Sequence, residues 1–308
     1  MKKILIALLF VCYAQSYGQQ DVQYTQYMYN TINVNPAYAG SREVMSIFGM
    51  HRTQWVGLDG APVTNTASIH APLNDTKIGL GLSIISDRIG PSRENDISVD
   101  FSYTLDLEND FKLAFGLKAT ANLFSIDYTK LNIYTPTDTR FQYNINNKFS
   151  PNIGAGVYLY SENSYIGFSI PNMLETKHYD KKSGQDAASY VSTDRLHYYL
   201  IAGHVFDVND EFKFKPTLLT KMVQGAPLQV DLSANVLFQE KFSAGVAYRW
   251  NAAMSAMVGY QVSDSWFIGY SYDAESTKLA NYNSGSHELF LRFELFENYD
   301  RIVSPRYF

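Results

Sequence analysis

VDLSANVLFQEKFSAGVAYRW, residues 230–250, carries the pattern that decides the fold. Val230, Leu232, Ala234, Val236 and Phe238 alternate with Asp231, Ser233 and Asn235. Gln239-Glu240 interrupts. Phe242, Ala244, Val246, Tyr248 and Trp250 then alternate with Ser243, Gly245, Ala247 and Arg249. Successive side chains on a strand point to opposite faces, so a period of two marks ribbons with one apolar and one polar face. The window reads as two such ribbons joined by a tight polar turn.

The same pattern extends in both directions. Ile97, Val99, Phe101, Tyr103 and Leu105 oppose Ser98, Asp100, Ser102 and Thr104; Leu289, Leu291, Phe293 and Leu295 oppose Glu288, Arg292 and Glu294, with Phe290 the exception. Fourteen strands are expected, near 42–54, 62–71, 76–86, 94–106, 111–126, 149–160, 164–171, 195–206, 211–222, 227–238, 241–251, 254–262, 265–274 and 286–296. Most have the length that a tilted strand needs to cross a bilayer, about 9–11 residues.

The connections sharpen this reading. Every second gap is short and polar: Leu73-Asn74-Asp75, Leu107 to Asp110, Ser161-Glu162-Asn163, Asp207-Val208-Asn209-Asp210, Gln239-Glu240 and Ser263-Asp264. The other gaps include every long one: Asp127 to Lys148, Asn172 to Asp194 and Ala274 to Gly285. Short turns on one side and long loops on the other are the signature of an outer-membrane β-barrel. A soluble sandwich has no reason to sort its loops by parity. The expected fold is therefore all-β: an antiparallel transmembrane barrel of about 14 strands, with short periplasmic turns, longer extracellular loops and an apolar exterior against the lipid bilayer. Trp55, Tyr248, Trp250, Trp266, Tyr270 and Tyr272 are candidates for interfacial aromatic girdles. Lys118, Asn122, Lys213, Lys215, Asp231, Asn235, Arg249, Arg292 and Glu294 are expected to point inward, and their mixed signs suggest a constricted or plugged interior.

The N-terminus adds a compartment. Lys2 and Lys3 precede the apolar run Ile4–Val11, and Ser16-Tyr17-Gly18 supplies small residues, so residues 1–18 read as a signal peptide cut between Gly18 and Gln19. The one cysteine, Cys12, lies inside it, and Val11 before it is too bulky for a lipoprotein site. The processed chain then has no thiol chemistry, and 23 basic against 30 acidic side chains give it a net charge of −7. No basic block points to nucleic acid. Residues 19–41 are expected to form an N-terminal periplasmic segment that folds under or into the barrel, 42–296 the barrel and 297–308 a C-terminal periplasmic tail.

Candidate chemistry is sparse. Gly79-Leu80-Gly81 and Gly154-Ala155-Gly156 lie inside alternating strands, where small inward residues relieve crowding; neither opens a helix that could cradle phosphate. The six histidines lack metal spacing, and His197 and His204, seven apart, face opposite ways. His51 and His70 could meet across the first hairpin as a structural or lumenal pair rather than a metal site; either could be the base of a Ser/His arrangement in a lipid-modifying enzyme, but no nucleophile or orienting group can be named. Asp207-Val208-Asn209-Asp210 is what a tight turn requires rather than a calcium site. No catalytic residue, metal or cofactor is expected.

The N-terminal third holds an ordered series: Gln26-Tyr27-Met28; Asn35-Pro36-Ala37-Tyr38-Ala39-Gly40; His51-Arg52-Thr53-Gln54-Trp55-Val56-Gly57; and Gly60-Ala61-Pro62. With Asn152 to Tyr158, Tyr165 to Asn172 and the terminal Phe308, it resembles the PorP/SprF family of the type IX secretion system of Bacteroidetes. The resemblance implies a non-catalytic Gram-negative outer-membrane barrel that supports secretion or surface anchoring of adhesins with C-terminal sorting domains, and gliding motility. It implies secreted adhesins and secretion or gliding components as partners. It marks Asn35, Pro36, Ala37, Gly40, Arg52, Gln54, Trp55, Gly60 and Pro62 as motif residues with a structural or partner-contact role. Physically, Asn35-Pro36 favours a turn, and Asp59-Gly60 supplies another before Pro62 opens the next strand. The alternative function is a transport barrel for a small solute. A closed barrel should migrate faster on a denaturing gel when unheated than when boiled; identical mobility in both states would refute closure.

Overall fold

The computed structural model describes residues 22–73, 76–131, 144–174, 177–180, 189–193, 196–223, 226–295 and Arg306. The Gly18–Gln19 cleavage site and the tail other than Arg306 lie outside them.

Strand identity follows the alternation. In chain order the strands are β1 (Met45–Thr53), β2 (Val63–Pro72), β3 (Ile78–Ile89), β4 (Ser92–Asp106), β5 (Lys112–Ile126), β6 (Ile145–Tyr160), β7 (Ser164–Ile170), β8 (Lys177–Asp180), β9 (Ser189–Thr193), β10 (His197–His204), β11 (Phe206–Asp207), β12 (Phe212–Val223), β13 (Gln229–Phe238), β14 (Phe242–Arg249), β15 (Ala253–Gln261), β16 (Trp266–Glu275) and β17 (Ser286–Leu295). β8 and β9 form a separate hairpin between β7 and β10, and β11 continues β10 past Val205. The remaining fourteen pair antiparallel with their neighbours. β7 joins β10, β10 joins β12, and β17 joins β1 through nine residue pairs from Met45↔Leu295 to Thr53↔His287. The sheet closes on itself as a 14-stranded antiparallel barrel, as the spacing of the runs predicts.

Turn chemistry sits where the parity placed it. Gln239 and Glu240 both take positive φ, 49° and 54°, the backbone of a tight hairpin whose twist matches its strands. Asn109 and Asp110 do the same between β4 and β5. The Asn209 side chain accepts from the Glu211 and Phe212 amides, so the acidic turn there is an Asx turn. On the opposite rim, Asp127 starts the long connection to β6. Hydrogen bonds from the Thr129 hydroxyl and amide and from Asn144 hold its carboxyl below the usual range.

The apolar faces point out. Leu117, Val246 and Val258 are more than half exposed, as are Phe149, Ile153 and Met254. In water such a belt would be an aggregation surface; in hydrocarbon it is the solvated face. Trp250, just past β14, and Trp266, at the start of β16, are outward-facing and lie at opposite rims on the two strands that flank β15. Trp55 does not join this girdle: it lies in the β1–β2 connection, its indole N–H donating to Glu275 Oε1 at 2.8 Å. No helix among the described residues is long and apolar enough to cross a membrane; the strands do so. A charge placed in the belt meets lipid, so Val258→Arg should lower stability in bilayers by about 2–4 kcal/mol, read from the denaturant midpoint of refolding into vesicles. A change within experimental error would place this face outside the membrane.

Candidate functional site: a lumen filled by the N-terminal segment

A 14-stranded barrel encloses more space than inward side chains fill, and here the chain fills it with itself. Residues 22–42 lie inside the wall. Two short 3-10 turns, Thr31–Asn33 and Pro36–Tyr38, keep the segment compact. Tyr27, Met28, Tyr29, Ile32, Ala37 and Tyr38 are buried in one cluster with Phe48, Phe267 and Phe290 from the wall. The core of this protein is therefore in its lumen, while its apolar exterior is left for lipid.

The wall yields to the segment at glycines. A Cβ on Gly116 would fall 2.1 Å from the Ala37 amide nitrogen and 2.4 Å from the Pro36 carbonyl carbon. One on Gly156 would fall 2.1 Å from Asn35 Oδ1, and one on Gly79 2.2 Å from the Ala39 carbonyl oxygen. Gly116 and Gly156 face each other across β5 and β6. The Asn35 side chain accepts from the Ala37 amide and donates to the Val157 carbonyl, each at 3.0 Å. Asn35, Pro36 and Ala37 thus form a turn pressed against a seat without side chains. Gly40 follows at φ +73°, its own Cβ position 2.8 Å from Gly79 Cα, so both backbone conformation and space require glycine.

Charges hold both ends of the segment. Arg52 Nη2 lies 2.7 Å from Asp273 and Nη1 3.1 Å from Glu288. The Thr25 and Gln26 amides both donate to Glu288, and the Thr25 hydroxyl to Asp273. All three charged side chains are at least 98% buried. Removing one partner from such a group typically costs about 3–5 kcal/mol, because the others stay buried and uncompensated. At the other end Arg42 pairs with Glu294 at 2.5 Å, beside Arg292. Lys118 joins Asp100 at 3.3 Å and donates to the Ile32 carbonyl. Arg249 meets Asp231 at 3.0 Å. Arg306 returns to this short-turn end, 4.3 Å over the Tyr160 ring, donating to the Ser41 and Ser161 carbonyls while its own carbonyl accepts from Lys215. Asn122 and Asn235 also face inward, and Lys213 sits at the rim beside Glu240.

The motif residues divide into two groups. Asn35, Pro36, Ala37 and Gly40 belong to the lumenal segment, and Arg52 to its charged anchor. Gln54, Trp55, Gly60 and Pro62 build the β1–β2 connection at the opposite rim from the short turns. The Gln54 amide donates to the Pro62 carbonyl at 3.0 Å, Trp55 takes φ +47°, and Gly60 takes φ +76° and accepts from the Gly90 amide. Of the residues that complete the anchor, Glu288 lies on the polar face already read for β17, Asp273 follows from extending the inward parity of β16, and Thr25, in the segment, carries no periodic signal. His51 and His70 do not meet: His51 faces outward beside Asn65 and His70 faces inward, because an odd separation along the hairpin puts them on opposite faces. No group of three potential metal ligands occurs among the described residues.

The family described as type IX secretion system membrane protein PorP/SprF matches residues 16–293. No curated protein matches the chain. Among solved structures the chain is similar to the CymD monoaromatic hydrocarbon channel, at 13% identity and a TM-score of 0.49, covering 91% of this chain and 95% of that one. It is also similar to the P. putida toluene transporter TodX, at 9% identity and a TM-score of 0.48, covering 89% and 95%. A third is the KdgM porin, at 9% and 0.39, covering 82% and 99%. The backbone contact at Gly116 cannot be relieved by a side-chain rotation, so Gly116→Val should displace the segment and cost at least the ~1–3 kcal/mol of an overpacked core. Loss of the unheated fast-migrating band at a lower temperature than wild type would show it; an unchanged transition would mean that the seat is not tight.

Proposed function

This chain belongs to the PorP/SprF family of type IX secretion system membrane proteins, and on that premise we propose that it is a non-catalytic outer-membrane scaffold that serves secretion by binding protein. Its proposed partners are secreted adhesins with C-terminal sorting domains and components of the secretion or gliding machinery. Export through cleavage between Gly18 and Gln19, with short turns in the periplasm and long loops outside, belongs to the same proposal.

One observation carries it: the lumen is occupied by residues 22–42, seated on glycines that leave no clearance and tied down by buried ion pairs. A conducting barrel needs a polar passage with exposed lining groups. Here the inward charges are matched to the segment and to one another, which supports binding at the rims over transport through the middle. The small-solute alternative would require the segment to leave a seat shaped around its backbone. The exposed features available to a partner are the two rims.

Deleting the gene should leave a specific subset of adhesins off the cell surface while other outer-membrane proteins stay in place. Extraction in mild detergent should bring down a large adhesin or a secretion component with the barrel. Normal surface display of every secreted substrate in the deletion strain would end this reading. Solute-dependent conductance of the purified barrel in planar bilayers would replace it with the transport one.

A further inference from the structure

The lumenal segment has a direction. Gln23 donates to Gln229, the first residue of β13, at 3.1 Å, and Arg249, the last residue of β14, donates to the Tyr24 carbonyl. Thr25 sits at Arg52, Asp273 and Glu288, each within three residues of the long-loop ends of β1, β16 and β17. Tyr27 then meets Thr217, midway along β12, and the Ile32 carbonyl meets Lys118, midway along β5. The Ala39 carbonyl accepts from Ser102, and Gly40 lies against Pro72 and Gly79, at the short-turn ends of β2 and β3. Arg42 reaches Glu294, one residue from the end of β17. β1 starts at Met45 from that same short-turn mouth.

The segment therefore descends the whole lumen, from the long-loop mouth to the short-turn mouth. Its length permits this: a chain reaches up to ~3.3–3.6 Å per residue, so about half of residues 22–42 would already span a hydrocarbon core ~30 Å thick. We propose that the polypeptide crosses the membrane fifteen times, fourteen as wall strands and once inside them, and that its leading end is displayed at the long-loop mouth. The beginning of the folded chain and the beginning of β1 then lie on opposite sides of the membrane, although only about twenty residues separate them. This reverses the expectation that the segment before β1 is periplasmic. It also gives the long-loop rim a chain end, lying beside Gln229 and Arg249, that an external partner can reach.

Enclosure follows from the same geometry. A segment whose backbone lies against Gly79 and Gly116 of the wall, and whose Asn35 side chain lies against Gly156, cannot be drawn through after closure with anything bulky at its leading end. It must be in place when β1 and β17 zip together, and a short peptide ahead of Val22 can be enclosed where a folded domain cannot.

Single cysteines test the display. With Cys12→Ser as background, Val22→Cys is compared with Asn109→Cys in a short turn and Asn281→Cys in a long loop, using a membrane-impermeant maleimide on intact and on permeabilised cells. Val22→Cys should follow Asn281→Cys in both states. Labelling that follows Asn109→Cys, or protection in both states, would overturn the proposal. A short epitope tag placed directly before Val22 gives a second reading through antibody binding to intact cells. The tagged barrel should assemble and be stained, whereas a folded fluorescent domain fused at the same point should abolish the fast-migrating band. Normal assembly of the domain fusion would also overturn it. Threading of the lumen and service to secretion are separable: labelling tests the first and gene deletion the second.

Discussion

A β-sheet in hydrocarbon cannot keep an open edge. Each unpaired backbone N–H or C=O there costs several kcal/mol, so the first and last strands must find each other. In this protein that seam, β1 against β17, is where the charges concentrate. Arg52 and Glu288 are directly opposite across it, and Phe48 lies opposite Arg292. The Glu288 carboxylate is shared between Arg52 on the other side of the seam and two amides of the lumenal segment. Closing the wall and seating the segment thus complete one another's electrostatics. A buried ion group of this kind is weak evidence for stability in itself, because desolvation offsets its attraction. Its value here is registry: a one-residue slip of β1 on β17 would point Arg52 into lipid and leave two carboxylates in the lumen without it.

The wall was legible in the sequence and the interior was only partly so. Alternation depends on neighbours two apart, which is local information; all fourteen strands and both classes of connection could be read from it. Residues 230–250 fold as read, to the two turn residues Gln239 and Glu240. The inward residues could be assigned for the same reason, and their mixed charges already implied pairing. The sequence allowed residues 19–41 to fold under or into the barrel, but how they seat could not be read, because contacts such as Asn35 with Gly156 and Gly167 join distant parts of the chain and leave no periodic trace. The signal available was indirect: Gly-x-Gly pairs in strands that needed no glycine for a turn. Those glycines mark a close approach, and only the structure supplies the backbone that approaches. The possible meeting of His51 and His70 fails on register: His51 pairs with Asn65 and His70 with Ser46, five residues away, which puts the two histidines on opposite faces.

Space inside the cylinder explains why the two regions depend on each other. Side chains suffice to fill a barrel of about eight strands, whereas one of fourteen leaves a hole. Gly, Ser and Thr on the inner face widen it further: Gly79, Gly81, Ser98, Ser102, Gly116, Thr120, Gly154 and Gly156 all lie on β3 to β6. Taken without the segment, those strands would describe a pore. Taken with it, they describe a socket whose depth is set by the turn at Asn35-Pro36-Ala37. The aromatic residues of the segment pack against inward aromatics of the wall, Phe48, Tyr158, Tyr165, Phe267 and Phe290 among them, so the hydrophobic core is shared between about twenty residues of coil and 3-10 turn and a scaffold whose other apolar face is turned outward. A substitution that enlarges the wall and one that shortens the segment should therefore damage the same structure, and neither can be compensated on the lipid side. Such a barrel is specified from within, and its rims are the surfaces left free to differ between partners.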